Sequence, residues 1–145
     1  MTDYKEKFEK MRIAGRLAAN TLDMLTENIK EGVSTDFIDK LGYEFIRDNG
    51  GYSAPQYYRG FTKSLCTSLN HVVCHGIPSD RILRDGDAIN VDVTAIVDEH
   101  YGDTSRMFSV GKTSVKLNNL IDTTYESMMR AIKILKPGIR LGDIG

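Results

Sequence analysis

The stretch that decides the fold is residues 90–104, which read N90-VDVTAIVDEHYGD-T104. Apolar residues at positions 89, 91 and 93 alternate with polar residues at 90, 92 and 94, which predicts a β-strand with one buried face. The charged pair Asp98-Glu99 predicts a turn, after which a second strand returns towards Val110. Together the two strands form an antiparallel hairpin whose polar face carries Asp92.

Two aspartates belong to this predicted hairpin, one on each side of the turn. Asp103 is expected opposite or diagonal to Asp92 on the same face, and such neighbours are roughly 4.5 to 8 Å apart at Cβ. Carboxylates this close repel each other unless they share a proton or a cation. The pattern therefore leaves open a proton-sharing acid/base pair and a site with oxygen ligands for one or two divalent ions. Taken singly, either aspartate also fits a solvated strand face.

Apolar residues at helical spacing predict two helices before the β region and one after it. The first helix is expected from Phe8 to a stop at Gly32. The second begins at a cap of Ser34 or Thr35 and ends at Asn49-Gly50-Gly51. The other predicted segments are an irregular aromatic stretch at 52–63, β-like runs at 65–69, 72–74, 88–97 and up to 110–111, and a last helix at 117–135. The fold class is α+β.

A second candidate for chemistry is the stretch VVCHGIP at 72–78. His75 comes at the end of a β-like run and just before a glycine, where a catalytic histidine would be accessible. A structural histidine fits the same pattern. A zinc site built from His71, Cys74 and His75 is disfavoured, because a strand does not converge three ligands at that spacing.

Composition excludes several classes of protein. The 145-residue chain is 41% hydrophobic and 27% charged with a net charge of -1, as is usual for one soluble domain. No cluster of Lys and Arg indicates a nucleic-acid partner. No apolar run is long enough for a membrane span, and the charged start MTDYKEKFEKMR does not fit a signal peptide. Two cysteines form no disulfide framework, which favours a reducing, cytoplasmic setting.

A long-range similarity indicates two related halves. Lys30-Glu31-Gly32-Val33 follows the first predicted helix, and Lys136-Pro137-Gly138-Ile139 follows the last, 106 positions later. A helix followed by Gly and an apolar residue is also a common way for a helix to end, so the repeat is a hypothesis. On this hypothesis residues 1–111 are a first half-repeat and 112–145 start a second. We then expect the chain to hold one half of a protein and the first helix of its other half.

Three long motifs identify a family resemblance. The runs KSLCTSLNHVVCHGIPSD (63–80), LRDGDAINVDVTAI (83–96) and YGDTSRMFSVG (101–111) resemble the bacterial type I methionine aminopeptidases of peptidase family M24. The opening KMRIAGRLAAN (10–20) and the closing ILKPGIRLGDIG (134–145) are similar as well, so the resemblance covers essentially the whole chain. It implies the pita-bread fold, in which two pseudo-symmetric halves of antiparallel sheet and helices surround a metal pair.

The resemblance also implies roles for single residues. Asp92 matches the family's first metal-binding aspartate, and Asp103 matches the second, which bridges two metal ions. His75 matches the histidine beside the substrate. Three further positions match the lining of the methionine pocket: Tyr58, Phe61 and Cys66. The implied cofactors are two divalent ions (cobalt, manganese, iron or zinc), and the implied reaction is metal-dependent hydrolysis of the first peptide bond of nascent proteins, with a metal-bridging water as nucleophile.

Departures from the family pattern bear on activity. The family uses two aspartates, one histidine and two glutamates, and only the aspartates are matched here. His100 lies in the predicted turn and is no substitute. Pro55 stands where a cysteine is common and Thr62 where a proline is common. We therefore expect little peptidase activity from this chain alone.

The resemblance also bears on partners. It implies nascent polypeptides that begin with Met as partners, is compatible with ribosome association, and implies a monomer when complete. Two alternatives remain: a non-catalytic pita-bread module that binds proteins, and an Xaa-Pro metallopeptidase of the same fold.

Overall fold

The described part of the chain contains three α-helices and a small antiparallel sheet. The computed structural model describes residues 4–145, apart from the side chain of residue 57. In chain order the elements are α1 (Tyr4–Thr26), α2 (Thr35–Asp48), β1 (Tyr52–Ser53), a 3-10 turn (Pro55–Tyr57), β2 (Cys66–Leu69), β3 (Ala88–Val97), β4 (His100–Ser109), α3 (Val115–Ile134) and a second 3-10 turn (Leu141–Asp143).

Strand β3 is the centre of the sheet. It pairs with β4 on one side and with both β1 and β2 on the other, and all three pairings are antiparallel. The β3–β4 hairpin closes at the Val97–His100 pair, with Asp98 and Glu99 between them at φ values of 47° and 64°. Two positive φ values are those of a type I′ turn, whose twist suits a two-residue hairpin. The predicted hairpin and its turn are confirmed.

The inner face of the hairpin is the hydrophobic core. Val91, Val93 and Ala95 are fully buried there, as their alternation in the sequence predicts. Helix α1 packs across β3 and β4. At the crossing, a Cβ on Gly102 would overlap the backbone of Ala14 and Gly15, so only glycine permits the helix and strand to approach this closely.

Helix α2 begins where the sequence predicts and anchors β2. The Ser34 side chain accepts a hydrogen bond from the Phe37 backbone N–H at 3.1 Å, which caps the helix. One turn later the Asp39 carboxylate accepts bonds from the N–H groups of Ser64 and Leu65, each at 2.8 Å. Burial raises the pKa of Asp39, and these two bonds oppose the rise. Asp39 therefore fixes the segment that enters β2.

Helix α1 ends at Thr26, earlier than the predicted stop at Gly32. The Asn28 side chain donates to the Met24 carbonyl at 3.1 Å, which satisfies a carbonyl of the last turn. The Gly32 N–H then donates to the Leu83 carbonyl at 2.9 Å, and this bond ties the connection to another part of the chain. Ile29 remains buried beyond the helix end, so its apolar spacing reflects core packing in a turn.

The predicted strand at 72–74 is wrong. The chain turns at Asn70, which has a φ of 53° and whose side-chain oxygen accepts from the Ala88 N–H at 3.0 Å. The Thr67 N–H donates to the Gly76 carbonyl at 2.8 Å, and residues 70–75, which follow β2, form a loop. Val73 is 94% exposed as a result. The β propensity of the two valines is overridden by these turn contacts.

The chain divides into two compact units, one up to Lys112 and one at Thr113–Gly145. The assignment of 1–111 and 112–145 as half-repeats stays a prediction, because compact units do not by themselves show that a segment was duplicated. Residues 1–3 of the first half-repeat lie outside the described part. Within residues 4–145, no helix is both long enough and apolar enough to cross a membrane.

Candidate metal and substrate site

The face of the hairpin that points away from α1 carries the two aspartates. Asp92 pairs with Ser105 across the hairpin, and Thr94 pairs with Asp103. The aspartates are therefore diagonal neighbours on one face, which is one of the two arrangements that the sequence predicts. Asp92 is half-buried and Asp103 is exposed.

The electrostatics of this pair favour a shared proton or a cation. Burial raises the pKa of Asp92, and the charge of Asp103 and a hydrogen bond with its carboxyl raise it further. His75 acts in the opposite direction and lowers the pKa of Asp92. A divalent ion between the carboxylates would remove their repulsion.

Cys66 lies beside Asp92, its partner across the β2–β3 ladder. Burial raises the pKa of the Cys66 thiol to about 11, with smaller contributions from Asp92, Cys74 and Asp103. The thiol is therefore protonated at neutral pH, and thiolates are the form in which cysteine binds metals. In the metal-free chain, Cys66 accordingly presents a small, weakly polar surface to the site.

The backbone around His75 is held in an uncommon conformation. His75 has a φ of 54°, in the left-handed region that few side chains adopt. The next residue, Gly76, lies against β2, where a Cβ would overlap the Thr67 backbone, and its N–H donates to the Ser68 hydroxyl at 3.1 Å. Gly76 thus holds the loop against β2. The left-handed backbone of His75 is a strained conformation, and such conformations are often found in functional sites.

An open cavity of about 850 Å³ adjoins these groups, a size in the range of small-molecule pockets. All six residues singled out from the sequence line it: Tyr58, Phe61, Cys66, His75, Asp92 and Asp103. Other lining residues were missed by the sequence analysis. Thr94, Ile96 and Tyr101 share the parity of the aspartates in the hairpin register, so the alternation itself could have identified them.

The donors present fit part of a metal site. Carboxylate oxygens suit divalent ions, and Asp92 and Asp103 are diagonal neighbours on one face of the hairpin and line one cavity. Among residues 4–145, however, no group of three or more His, Cys, Asp or Glu side chains is arranged to hold a metal ion. The His71, Cys74 and His75 zinc site is therefore absent, and the aspartates need further ligands to hold an ion tightly.

Comparison with known proteins shows the class first. The profile of metallopeptidase family M24 matches residues 9–145, and the chain belongs to this family. Within the family, the chain is 51% identical over 141 residues to the methionine aminopeptidase of Rickettsia prowazekii, covering 97% of this chain and 54% of that protein. The resemblance to the amino-terminal part of type I methionine aminopeptidases is therefore confirmed.

Solved structures confirm the fold. The crystal structure of the R. prowazekii enzyme superposes with a TM-score of 0.94 over 97% of this chain and 56% of that chain. The methionine aminopeptidase of Thermotoga maritima superposes with a TM-score of 0.93 at 34% identity, over 96% and 56% of the two chains. The predicted pita-bread fold is thus confirmed for this part of it, and the chain spans about half the length of the relatives it matches.

More distant structures share the fold alone. The prolidase from Pyrococcus furiosus has a TM-score of 0.83 at 22% identity, covering 97% of this chain and 40% of that one. The architecture of β1–β4 with α1 and α2 therefore does not distinguish the two kinds of peptidase. The distinction depends on the site and on the much higher identity to methionine aminopeptidases.

Proposed function

We propose that this chain is the amino-terminal part of a methionyl aminopeptidase, a hydrolase that removes the first methionine from nascent proteins. The observation that carries the proposal is the diagonal pair of Asp92 and Asp103 at one cavity that also contains His75 and Cys66. The family and the roughly 50% identity to methionine aminopeptidases support the same reaction. The substrate class is a polypeptide with a free amino-terminal methionine.

Asp92 and Asp103 are the proposed ligands of two divalent ions, drawn from cobalt, manganese, iron and zinc. The family is one of metallopeptidases, and the oxygen donors of the pair are suited to such ions. When bound, the ions would supply Lewis-acid polarisation of the peptide carbonyl and activation of a bridging water as the nucleophile. Without them, burial and the repulsion from Asp103 both raise the pKa of Asp92.

His75 is the proposed catalytic residue beside the scissile amide. It lines the same cavity as Asp92, and Gly76 holds its backbone against β2. An imidazole N–H in this position donates a hydrogen bond to an oxygen that gains negative charge as the amide is attacked. The exposed loop leaves His75 accessible to a substrate.

Tyr58, Phe61 and Cys66 are the proposed walls of the pocket for the methionine side chain. Two aromatic rings and a protonated thiol give an apolar and polarisable surface, which suits a flexible thioether. A small second residue in the substrate is expected on steric grounds. Pro55, also in the cavity wall, replaces the cysteine common in the family and alters the pocket's shape rather than its polarity.

Activity is proposed for the whole protein, and little or none for residues 1–145 by themselves. The described residues offer the ions only two convergent carboxylates, and the chain spans about half of its relatives. Two carboxylates hold a dinuclear site weakly. We further propose that the whole protein is cytoplasmic and monomeric. Its proposed partners are nascent chains, which it would bind at the ribosome.

The test is peptide hydrolysis. The full-length gene product, loaded with Mn²⁺ or Co²⁺, should cleave Met-Gly-Met and lose activity with a chelator, while Xaa-Pro peptides should remain intact. His75→Ala should reduce kcat by roughly 10²-fold or more. Cleavage of Xaa-Pro peptides in preference to Met-Gly-Met would assign the protein to the other peptidase class. Binding of peptides without metal-dependent cleavage would favour the non-catalytic module.

Residues 1–145 serve as the matched comparison. The isolated chain, treated with the same ions, should show little or no turnover of Met-Gly-Met. Robust turnover would contradict the proposal that further ligands are needed.

A further inference from the structure

Arg59 is a cation in the wall of the cavity. It lines the same cavity as Asp92 and Asp103, and it is exposed. None of the ion pairs among residues 4–145 includes Arg59. Its guanidinium is held instead over the ring of Tyr58, 5.2 Å from the ring centroid. Among the residues that the structure describes, the positive charge is thus positioned without an ion-pair partner.

The backbone at Arg59 indicates that its position is specified. Arg59 has a φ of 47° and Gly60 a φ of 80°, so a long side chain occupies a left-handed conformation that glycine or asparagine would adopt more easily. The turn is closed by the Phe61 N–H, which donates to the Tyr58 carbonyl at 3.0 Å. Arg59 therefore lies within a closed turn, between the proposed pocket residues Tyr58 and Phe61.

We propose that Arg59 determines substrate specificity by binding a carboxylate on the part of the peptide that follows the cleaved bond. This inference rests on the proposed function. In this proposal the methionine end lies beside Asp92 and Asp103, and the rest of the peptide follows the part of the cavity wall that carries Arg59. An extended chain advances roughly 3.3–3.6 Å per residue, which brings the next residues within reach of a guanidinium. A small second residue carries no charge, so the recognised group is Glu or Asp at the third or fourth position.

Stacking on Tyr58 makes this contact favourable. The ring limits the rotamers of Arg59 and leaves the edge of the guanidinium free to donate to a carboxylate in a bidentate manner. Much of the entropy cost of fixing a long side chain is therefore met before the peptide arrives. Because the site is open to solvent, the expected gain is modest, about two- to fivefold in affinity.

The experiment compares three peptides that are amidated at the C-terminus, so that no terminal carboxylate competes, and that differ only at the third residue: Met-Gly-Glu-Gly-amide, Met-Gly-Gln-Gly-amide and Met-Gly-Lys-Gly-amide. With the full-length gene product and Mn²⁺, kcat/KM should fall in that order, by about two- to fivefold between Glu and Gln, and the difference should shrink in 0.5 M NaCl. The change should appear in KM with kcat unchanged, because the contact is equal in the ground state and the transition state.

Two variants separate a specific contact from general charge. Arg59→Gln should abolish the Glu preference, and Arg59→Lys should retain part of it. Arg47→Gln is the matched control, since Arg47 also stacks on a tyrosine, Tyr43, at 5.6 Å but does not line the cavity. This control should leave the preference intact.

The outcomes distinguish the two levels of the proposal. If all three peptides are cleaved equally by the unmodified protein, or Arg47→Gln changes the preference as much as Arg59→Gln, the role of Arg59 is refuted and the peptidase function stands. If none of the peptides is cleaved in the presence of metal, the peptidase function fails and the role of Arg59 fails with it.

Discussion

The two faces of the β3–β4 hairpin obey different requirements although their residues alternate in one short stretch. On the inner face Val91 and Val93 are fully buried beneath α1. On the outer face Asp92 and Thr94 are only half-buried and border an open cavity. The inner face is optimised for packing. The outer face holds two carboxyls at a distance that packing alone would disfavour, which is the usual sign of a functional site.

The contrast is sharpest at neighbouring residues. Gly102 belongs to the inner face and permits α1 to touch the strand, whereas Asp103 points to the other side and contributes to the cavity. Substitutions at such neighbours should therefore have opposite consequences. Those on the inner face should unfold the protein, and those on the outer face should spare or even improve stability while removing metal binding.

The largest expected effect is at the helix–strand crossing. Gly102→Ala should destabilise the chain by about 3 kcal/mol or more, because its methyl group would overlap the backbone of Ala14 and Gly15. Gly15→Ala is the control: its Cβ meets nothing within 4 Å, and alanine in a helix is favoured by about 1 kcal/mol. Urea denaturation followed by circular dichroism measures both. Equal stability of the two variants would refute the close approach.

A smaller loss is expected from a cavity in the core. Val93→Ala should lower the free energy of unfolding by roughly 2 kcal/mol, since two methyl groups leave a fully packed environment. Thr94→Ala, one residue away on the outer face, should cost less than about 1 kcal/mol. Urea denaturation measures the free energy of unfolding of both variants. A larger decrease for Thr94→Ala than for Val93→Ala would reverse our assignment of the faces.

The smallest effect should have the opposite sign. In metal-free protein at neutral pH, Asp92→Asn should raise the free energy of unfolding by on the order of 1 kcal/mol, because it removes a like-charged cross-strand neighbour of Asp103. Asp48→Asn, at an exposed carboxylate paired with Arg47, should change stability little. A clear loss of stability in Asp92→Asn would show that the pair is structural.

The pH dependence of this gain follows from the sign of the shift. The pKa of Asp92 is raised in the folded chain, chiefly by burial, so the folded state binds its proton more tightly than the unfolded state. The stability that Asp92 contributes is complete at pH values below the ordinary aspartate pKa and is lost as pH rises through the raised pKa. The advantage of Asp92→Asn should therefore be absent in acid and grow towards neutral pH, measured by denaturation at several pH values.

The sequence predicts the hairpin well because its information is local. The period-two alternation at 89–95 and the charged pair at the turn specify the strands, the register and the face that carries Asp92. The cap at Ser34 is equally local and equally well predicted. The pattern places Asp103 on the same face as Asp92, either opposite or diagonal, and the register in the structure makes it diagonal.

The loop at 71–75 was not predictable in the same way. Val72 and Val73 have high β propensity, but Asn70 bonds to the start of β3 and Gly76 packs on β2, and both contacts depend on residues distant in sequence. The left-handed backbone of His75 has the same origin. The position of Arg59 over Tyr58 likewise depends on a turn that no periodic pattern signals.

The most direct test of the central claim is to locate a paramagnetic ion on the chain. Mn²⁺ would be titrated at pH 7 into ¹⁵N-labelled residues 1–145, with amide line broadening followed by NMR. The account predicts broadening centred on the amides of residues 92 and 103 and on nearby cavity residues, and loss of that broadening in Asp103→Asn. Broadening spread over exposed carboxylates such as Asp48, with none centred on the outer face of the hairpin, would contradict it.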